Sequence, residues 1–249
     1  SPVSPFSPFG LSPFGWGVRS VAIGPSLPEI IFVGGLCYAV WTATKSLSGA
    51  YGGDLASPKV TIAKLQVAVN CDTRGQSSVL GTIADLANRV DTQDQRSVAN
   101  LVSDTALALL RKESDWISAS LKTEKARNMD VGEEKFSEFS LAERAKIERE
   151  TFNKVNGRDK SDKREGESGP SDLGRPTVAV VTFILALEER DFSEVKDTKS
   201  LKAALMGLGS DVVSNDRLIA AEVMWTPEEP WEQITPDEVT LDFPDLIPL

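Results

Sequence analysis

Two long apolar runs stand out from the pattern of hydrophobic and polar positions. The first, residues 30–44, reads Ile-Ile-Phe-Val-Gly-Gly-Leu-Cys-Tyr-Ala-Val-Trp-Thr-Ala-Thr and carries no charge. Extended to 27–47, with Glu29 at a helix end and Lys45 snorkelling outward, it reaches about twenty-one residues, enough for a single membrane-spanning helix. Gly34 and Gly35 disfavour a helix in water but are tolerated in a membrane helix. The expected anchor residues are Ile30, Ile31, Phe32, Val33, Leu36, Tyr38, Val40 and Trp41, with Tyr38 and Trp41 toward the interfacial end. Outside a bilayer the same run reads as an ordinary buried helix. The second run, 177–187, is about eleven residues long, too short to span a membrane and apolar on both faces. It predicts a central strand covered on two sides.

Between and after these runs the periods change. Val60, Ile62, Leu65, Val67 and Val69 predict a strand with one slip in its alternation, read as a bulge. Val79, Ile83, Leu86 and Val90 recur at helical spacing. Thr92-x-x-Gln95 matches a capping box for the next helix, whose broad apolar face carries Val98, Leu101, Val102, Thr105, Leu109 and Leu110. Asp115-Trp116-Ile117 breaks that helix and adds a short edge strand. Residues 121–138 are charged and periodic, and Ser140-Leu-Ala-Glu143 reads as a capping box opening a helix to about Val155. Its Glu and Arg residues predict a solvated face with i,i+4 pairs rather than an anion or metal site. Asp197-Thr198 caps a helix from Lys199 to Met206 that stops at Gly207 and Gly209. Arg217 to Pro227 predicts a strand, and Thr235-Pro236-Asp237-Glu238 supplies N-cap, N1 proline and N3 carboxylate for a last short helix.

These elements define an α+β chain: a single N-terminal transmembrane helix followed by a soluble domain with a small sheet of about three or four strands packed against several helices. The expected divisions are a Pro/Phe/Gly-rich segment at 1–26, the span at 27–47, a flexible hinge at 48–57 and the domain at 58–249. Residues 156–176 are polar, mixed in charge and nearly free of apolar side chains, and predict a disordered or loop insertion. The first segment repeats Ser-Pro-Phe units. Its Phe6, Phe9, Phe14 and Trp16 are candidate contacts for a membrane interface or a partner. The Lys and Arg distribution, Arg19 before the span and Lys45, Lys59 and Lys64 after it, favours a domain on the untranslocated, cytosol-like or stroma-like side. A first residue other than Met is consistent with a targeting peptide removed upstream.

Composition narrows the chemistry. Among 249 residues, 27 are basic, 37 are acidic and none is histidine. A pI near 4.7 without a basic stripe argues against a nucleic-acid partner. The missing imidazole excludes Ser-His and Cys-His nucleophiles and removes the commonest metal ligand. The two cysteines, Cys37 and Cys71, lack redox spacing and read as buried thiols. Glu188, Glu189 and Asp191 lie past a strand end but read as a solvated turn. Gly207-Leu-Gly-Ser210 follows a helix, the wrong context for a dinucleotide fingerprint, so no cofactor is expected. Glu228, Glu229 and Glu232, interleaved with Trp225 and Trp231, form a candidate acidic and aromatic partner surface.

Five segments resemble, in wording and order, a plant and cyanobacterial family catalogued as DUF1517. They are Val60-Thr-Ile-Ala-Lys-Leu-Gln-Val67, Thr105-Ala-Leu-Ala-Leu-Leu-Arg111, Phe139-Ser-Leu-Ala-Glu-Arg144, Asp216-Arg-Leu-Ile-Ala-Ala-Glu-Val-Met-Trp-Thr-Pro227 and Pro244-Asp-Leu-Ile-Pro-Leu249. The resemblance implies a chloroplast, thylakoid-type membrane location and a role around photosynthetic acclimation, and it brings no catalytic residues. The expected function is a membrane-anchored, non-enzymatic accessory protein that binds a photosynthetic complex. An assembly factor for such a complex, or a carboxylate-based small-molecule sensor or enzyme, are the alternatives.

Overall fold

The computed structural model describes residues 37–40, 59–73, 75–91, 94–156, 176–214, 217–227 and 233–249. Its centre is an antiparallel sheet. The strands are β1 (Cys37–Val40), β2 (Val60–Cys71), β3 (Trp116–Ala126), β4 (Thr177–Glu188), β5 (Leu218–Thr226) and β6 (Ile247–Pro248), in the spatial order β1-β5-β4-β2-β3-β6. The helices are α1 (Val79–Arg89), α2 (Gln95–Leu110), α3 (Met129–Asn156), α4 (Thr198–Ser214) and α5 (Pro236–Asp242). The α+β class is as expected, with a larger sheet. The predicted short edge strand at Trp116 is eleven residues long, and its charged residues Lys122, Glu124 and Lys125 tolerate a strand because β3 lies near the sheet edge. Beyond Ser118 and Ala119, which pair with β6, the outer side of β3 has no strand partner among the described residues.

The apolar run at 177–187 becomes β4, paired on one side with β2 and on the other with β5, and buried throughout except at Glu188. The slip predicted in β2 has another cause. β2 pairs with β4 continuously from Val60 to Cys71, and its register shift against β3 falls at Ala68 and Val69. The alternation breaks because both faces are buried and one of them carries Lys64 and Gln66 among apolar neighbours.

The N-terminal run departs from the expected helix. Cys37–Val40, inside the predicted span, is extended and antiparallel to β5, from Cys37 opposite Val223 to Val40 opposite Ala220. Cys-Tyr-Ala-Val suits a strand, and the edge of β5 offers backbone groups that need partners. The rest of 27–47 lies outside the described residues. No helix among the described residues is long and apolar enough to cross a membrane. The 1–26 segment, the 48–57 hinge and residues 157–175 of the predicted insertion are likewise outside.

Helix ends differ from the sequence pattern where a nearer group takes the role. Asp94, not Thr92, caps α2 by accepting from the N–H groups of Arg96 and Ser97. Ser140 and Glu143 lie inside one continuous helix of 28 residues, turned inward, rather than capping a new one. α4 runs on through both glycines. The Arg190 guanidinium lies where a Cβ on Gly207 would be, 2.5 Å from its Nη2, so this glycine provides close packing rather than a stop. The last helix has the capping box read from sequence, with Thr235 and Glu238 each accepting from the other's backbone N–H.

One face of the sheet packs on α1, α2 and α4 through a single apolar core. Leu65, Val67, Phe183, Leu185 and Val223 meet Ile83, Val102, Leu109, Leu201 and Leu205 there. Burying each large side chain stabilises the fold by about 1.5–3 kcal/mol. The opposite face is covered by α3 and α5, and its apolar contacts fall into two separate clusters. One centres on Val60, Ile62, Ile184, Met224 and Phe136, the other on Ala68, Val178, Val180, Val239 and Phe243.

Candidate functional site

Between those two clusters lies a strip of buried polar and charged side chains. Antiparallel register builds its floor: Lys64 on β2 stands opposite Lys122 on β3 and Ile184 on β4, and Ile184 stands opposite Glu222 on β5. One pleat along, Gln66 is opposite Ser120 and Thr182. Lys64 is 5% exposed, while Gln66 and Glu222 are fully buried. α3 lays Ser140, Glu143, Arg144 and Lys146 across this floor.

Glu143, 1% exposed, is the hub. Its Oε1 accepts from Lys64 Nζ at 2.5 Å and from Lys146 Nζ at 2.9 Å, and its Oε2 accepts from Gln66 Nε2 at 3.0 Å. Gln66 Nε2 also donates to Thr182 Oγ1 at 3.0 Å. On β5, Glu222 Oε1 accepts from both Nε and Nη2 of Arg144, at 3.0 and 2.8 Å. At the outer end Lys122 Nζ donates to Asp245 Oδ2 at 2.6 Å, and Lys64 Nζ stands 3.8 Å from the same oxygen. Phe139 and Phe243 cover the strip, their rings 5.8 and 5.7 Å from the ammonium groups of Lys64 and Lys146.

A charge in such a place is stable only with a partner, and each of these has one. The carboxyls nevertheless differ. Burial pushes Glu222 above the usual glutamate range, opposed by the Arg144 charge and by hydrogen bonds from Ser140 and Arg144. The hydrogen bond from Lys122 holds Asp245 below the usual aspartate range, helped by the charges of Lys122, Lys64 and Lys146 against some desolvation. Among the described residues, three buried oxygens, Glu222 Oε2, Gln66 Oε1 and Ser120 Oγ, have no hydrogen-bond partner. The chemistry this arrangement supports is charge-matched clamping of a helix on a sheet. No group of three His, Cys, Asp or Glu residues able to hold a metal ion occurs among the described residues.

Of the residues singled out by sequence, only some are described, and most of those fall elsewhere. Trp225, expected at a partner surface, is 5% exposed and belongs to the apolar core, because its register puts it opposite Val181 on the α1, α2 and α4 face. Trp231, Glu228, Glu229, Glu232, Phe6, Phe9, Phe14, Trp16, Ile30, Ile31, Phe32, Val33, Leu36 and Trp41 lie outside the described residues. Tyr38 and Val40 are in β1, at the register positions of Glu222 and Ala220. Glu188 and Glu189 are exposed, and Asp191 pairs with Lys125 at 2.6 Å on the surface, as a solvated turn requires. Cys71 is a buried thiol in no disulfide, as read.

Sequence reasoning missed the strip itself, although its signal was visible. Lys64 and Glu222 are lone charges inside strand-length apolar segments, where alternation alone puts them indoors. Four of the five stretches that carried the resemblance converge here: Val60–Val67 brings Lys64 and Gln66, Phe139–Arg144 brings the helix side, Asp216–Pro227 brings Glu222, and Pro244–Leu249 brings Asp245.

Fold and strip together define an α+β domain with one dry face and one ion-paired face. The chain belongs to the family described as Protein of unknown function (DUF1517), whose model matches residues 59–249. It is 30% identical to Protein FLAP1 homolog A of Synechocystis sp., over 96% of this chain and 72% of that protein. It is also 28% identical to FLUCTUATING-LIGHT-ACCLIMATION protein 1, chloroplastic, of Arabidopsis thaliana, over 97% of this chain and 61% of that protein. No solved structure matches.

Proposed function

We propose that this chain is a non-enzymatic accessory protein of the photosynthetic membrane, acting in light acclimation by binding a photosynthetic complex. The observation that carries the reading is the family membership joined to a relative whose printed name states light acclimation and a chloroplast address along 97% of this chain. The strip is consistent with it, since Glu143, Glu222 and Asp245 each spend their charge on an internal cation. The thylakoid, with the domain on the stromal side, is the location in this reading.

Membrane attachment is assigned to residues 27–47. A spanning helix and strand β1 are alternatives for Cys37–Val40, so carbonate extraction of native membranes distinguishes them: retention in the pellet supports the span, and release rejects it. Affinity capture from gently solubilised photosynthetic membranes, followed by mass spectrometry, tests the main proposal. Enrichment of the subunits of one complex supports it, and migration only as a free monomer with nothing enriched overturns it. Enrichment of immature complexes alone would turn the reading into an assembly factor. One observation favours the sensor or enzyme reading, the displaced and buried Glu222 carboxyl.

A further inference from the structure

The two edges of the sheet are built differently. The β3 edge carries Lys122, Glu124 and Lys125, all reaching solvent and ion-paired, and charge on an edge discourages the addition of further strands. β5 has no such protection. From Leu218 to Thr226 it holds no Lys, Arg, Pro or Gly, eight of its nine residues are buried, and its one charge, Glu222, is taken up by Arg144 of α3. Left bare, an apolar edge of this length recruits another strand. What covers it is β1, over four residue pairs from Cys37 opposite Val223 to Val40 opposite Ala220.

The covering strand comes from the run assigned above to the bilayer. In a helix over 27–47, residues 37–40 fall near the middle, at least about 10 Å from either end at the helical rise. Pairing with β5 at that depth would draw the edge of the sheet into hydrocarbon, where open edges are not tolerated because their backbone N–H and C=O groups have no water. The two placements therefore exclude one another: Cys37–Val40 pair with β5 or lie in the membrane. Four pairs also make a short ladder. Its loss leaves the other five strands joined in the order β5-β4-β2-β3-β6, so the domain does not depend on it.

We propose that the edge of β5 is a docking site for the chain's own membrane run: Cys37–Val40 close it while the run is out of the bilayer and leave it when the run inserts. Resting on the membrane role proposed above for residues 27–47, this docking adds a control on when the anchor is available. One contact covers an apolar sheet edge and engages part of an apolar segment, so the membrane-free chain is guarded against edge-to-edge association.

Directly opposed positions of an antiparallel pair lie within disulfide distance, so Val223→Cys gives the native Cys37 a partner. The full chain is made by cell-free synthesis without membranes, oxidised, and then offered vesicles of phosphatidylcholine and phosphatidylglycerol. Peptide mass mapping should show a disulfide between Cys37 and position 223 within one chain. The locked chain should be retained on vesicles after carbonate washing at least about tenfold less than the same variant kept reduced, and a reductant should restore retention. Vesicles added before the oxidant should suppress the disulfide. Met224→Cys, one residue along and on the opposite face of β5, should form no bond to Cys37. If Val223→Cys disturbs the core, Ala39→Cys with Ala221→Cys in a Cys37→Ser chain reads the pair two positions along. The proposal is overturned, with the membrane assignment intact, if the reduced chain is retained on vesicles but neither designed pair forms a disulfide in solution, the locked chain inserts as well as the reduced one, or Met224→Cys cross-links as readily as Val223→Cys. If the reduced chain itself is not retained, the membrane assignment fails and the proposal falls with it.

Discussion

Strand β4 turns Phe183 and Leu185 to one side of the sheet and Thr182 and Ile184 to the other, and the helices covering the two sides are held differently. On the α1, α2 and α4 side the contact is mainly apolar and holds no buried charge, so its strength scales with area and is indifferent to pH. On the α3 and α5 side a charged strip interrupts the apolar contact, so strength there depends on matched partners. Removing an apolar group leaves a hole; removing one charge leaves its partner buried and uncompensated. The second face is therefore the more responsive to conditions, and its losses are the ones a second, matching substitution can recover.

The largest expected effects test that contrast directly. Phe183→Ala on the dry face should lower stability by about 3–5 kcal/mol in urea unfolding, with the same loss at neutral and mildly acidic pH. Glu143→Ala on the charged face should cost a similar 3–5 kcal/mol or so, because Lys64 stays buried without its partner. The double replacement Lys64→Met with Glu143→Leu should recover most of that loss, to within about 1 kcal/mol of the wild type or above it. If the double variant is as unstable as Glu143→Ala alone, the strip is not charge-matched in the sense argued here.

Smaller effects sharpen the contrast. Asp245 pairs with the half-exposed Lys122, so Asp245→Asn should cost less than about 1 kcal/mol after solvent screening. Its carboxyl is held below the usual range, so that contribution is present above the unfolded-state pKa and vanishes as pH falls through the folded one. Variant and wild type should thus converge in strongly acidic solution, the opposite sense to Glu222. Gly207→Ala should change stability by no more than roughly 1 kcal/mol, since the helix gains propensity while the flexible end of Arg190 moves aside. A much larger loss would mean that Arg190 is fixed where it lies.

How much of this was legible in the sequence depended on whether a local rule decided the outcome. The long apolar segment of β4 and the Thr235 and Glu238 cap were readable, because strand burial and capping are short-range. The glycines of α4 and the inward turn of Ser140 and Glu143 were misread, because tertiary neighbours overrode the local signal. β3 was underestimated since charge at alternate positions looks helical or solvated until an edge position is known. The strip was hidden for a different reason. Its members are spread across β2, β3, β4, α3, β5 and the segment after α5, and antiparallel register with the packing of α3 brings them together. Lys64 read as a break in alternation, and Glu222 as one polar letter in a strand.

The continuous register of β2 with β4 also bears on how the chain assembles in time. The partners Val60 and Glu188, like Cys71 and Thr177, are separated by more than a hundred residues. The middle of the sheet therefore closes only after a long search, and folding should be slow relative to a domain whose neighbours in space are neighbours in sequence. The same separation makes the intervening chain forgiving. Loop-closure entropy rises only with the logarithm of length, by about 0.6 kcal/mol per doubling. Residues inserted between α3 and β4 would barely alter the equilibrium between folded and unfolded chains.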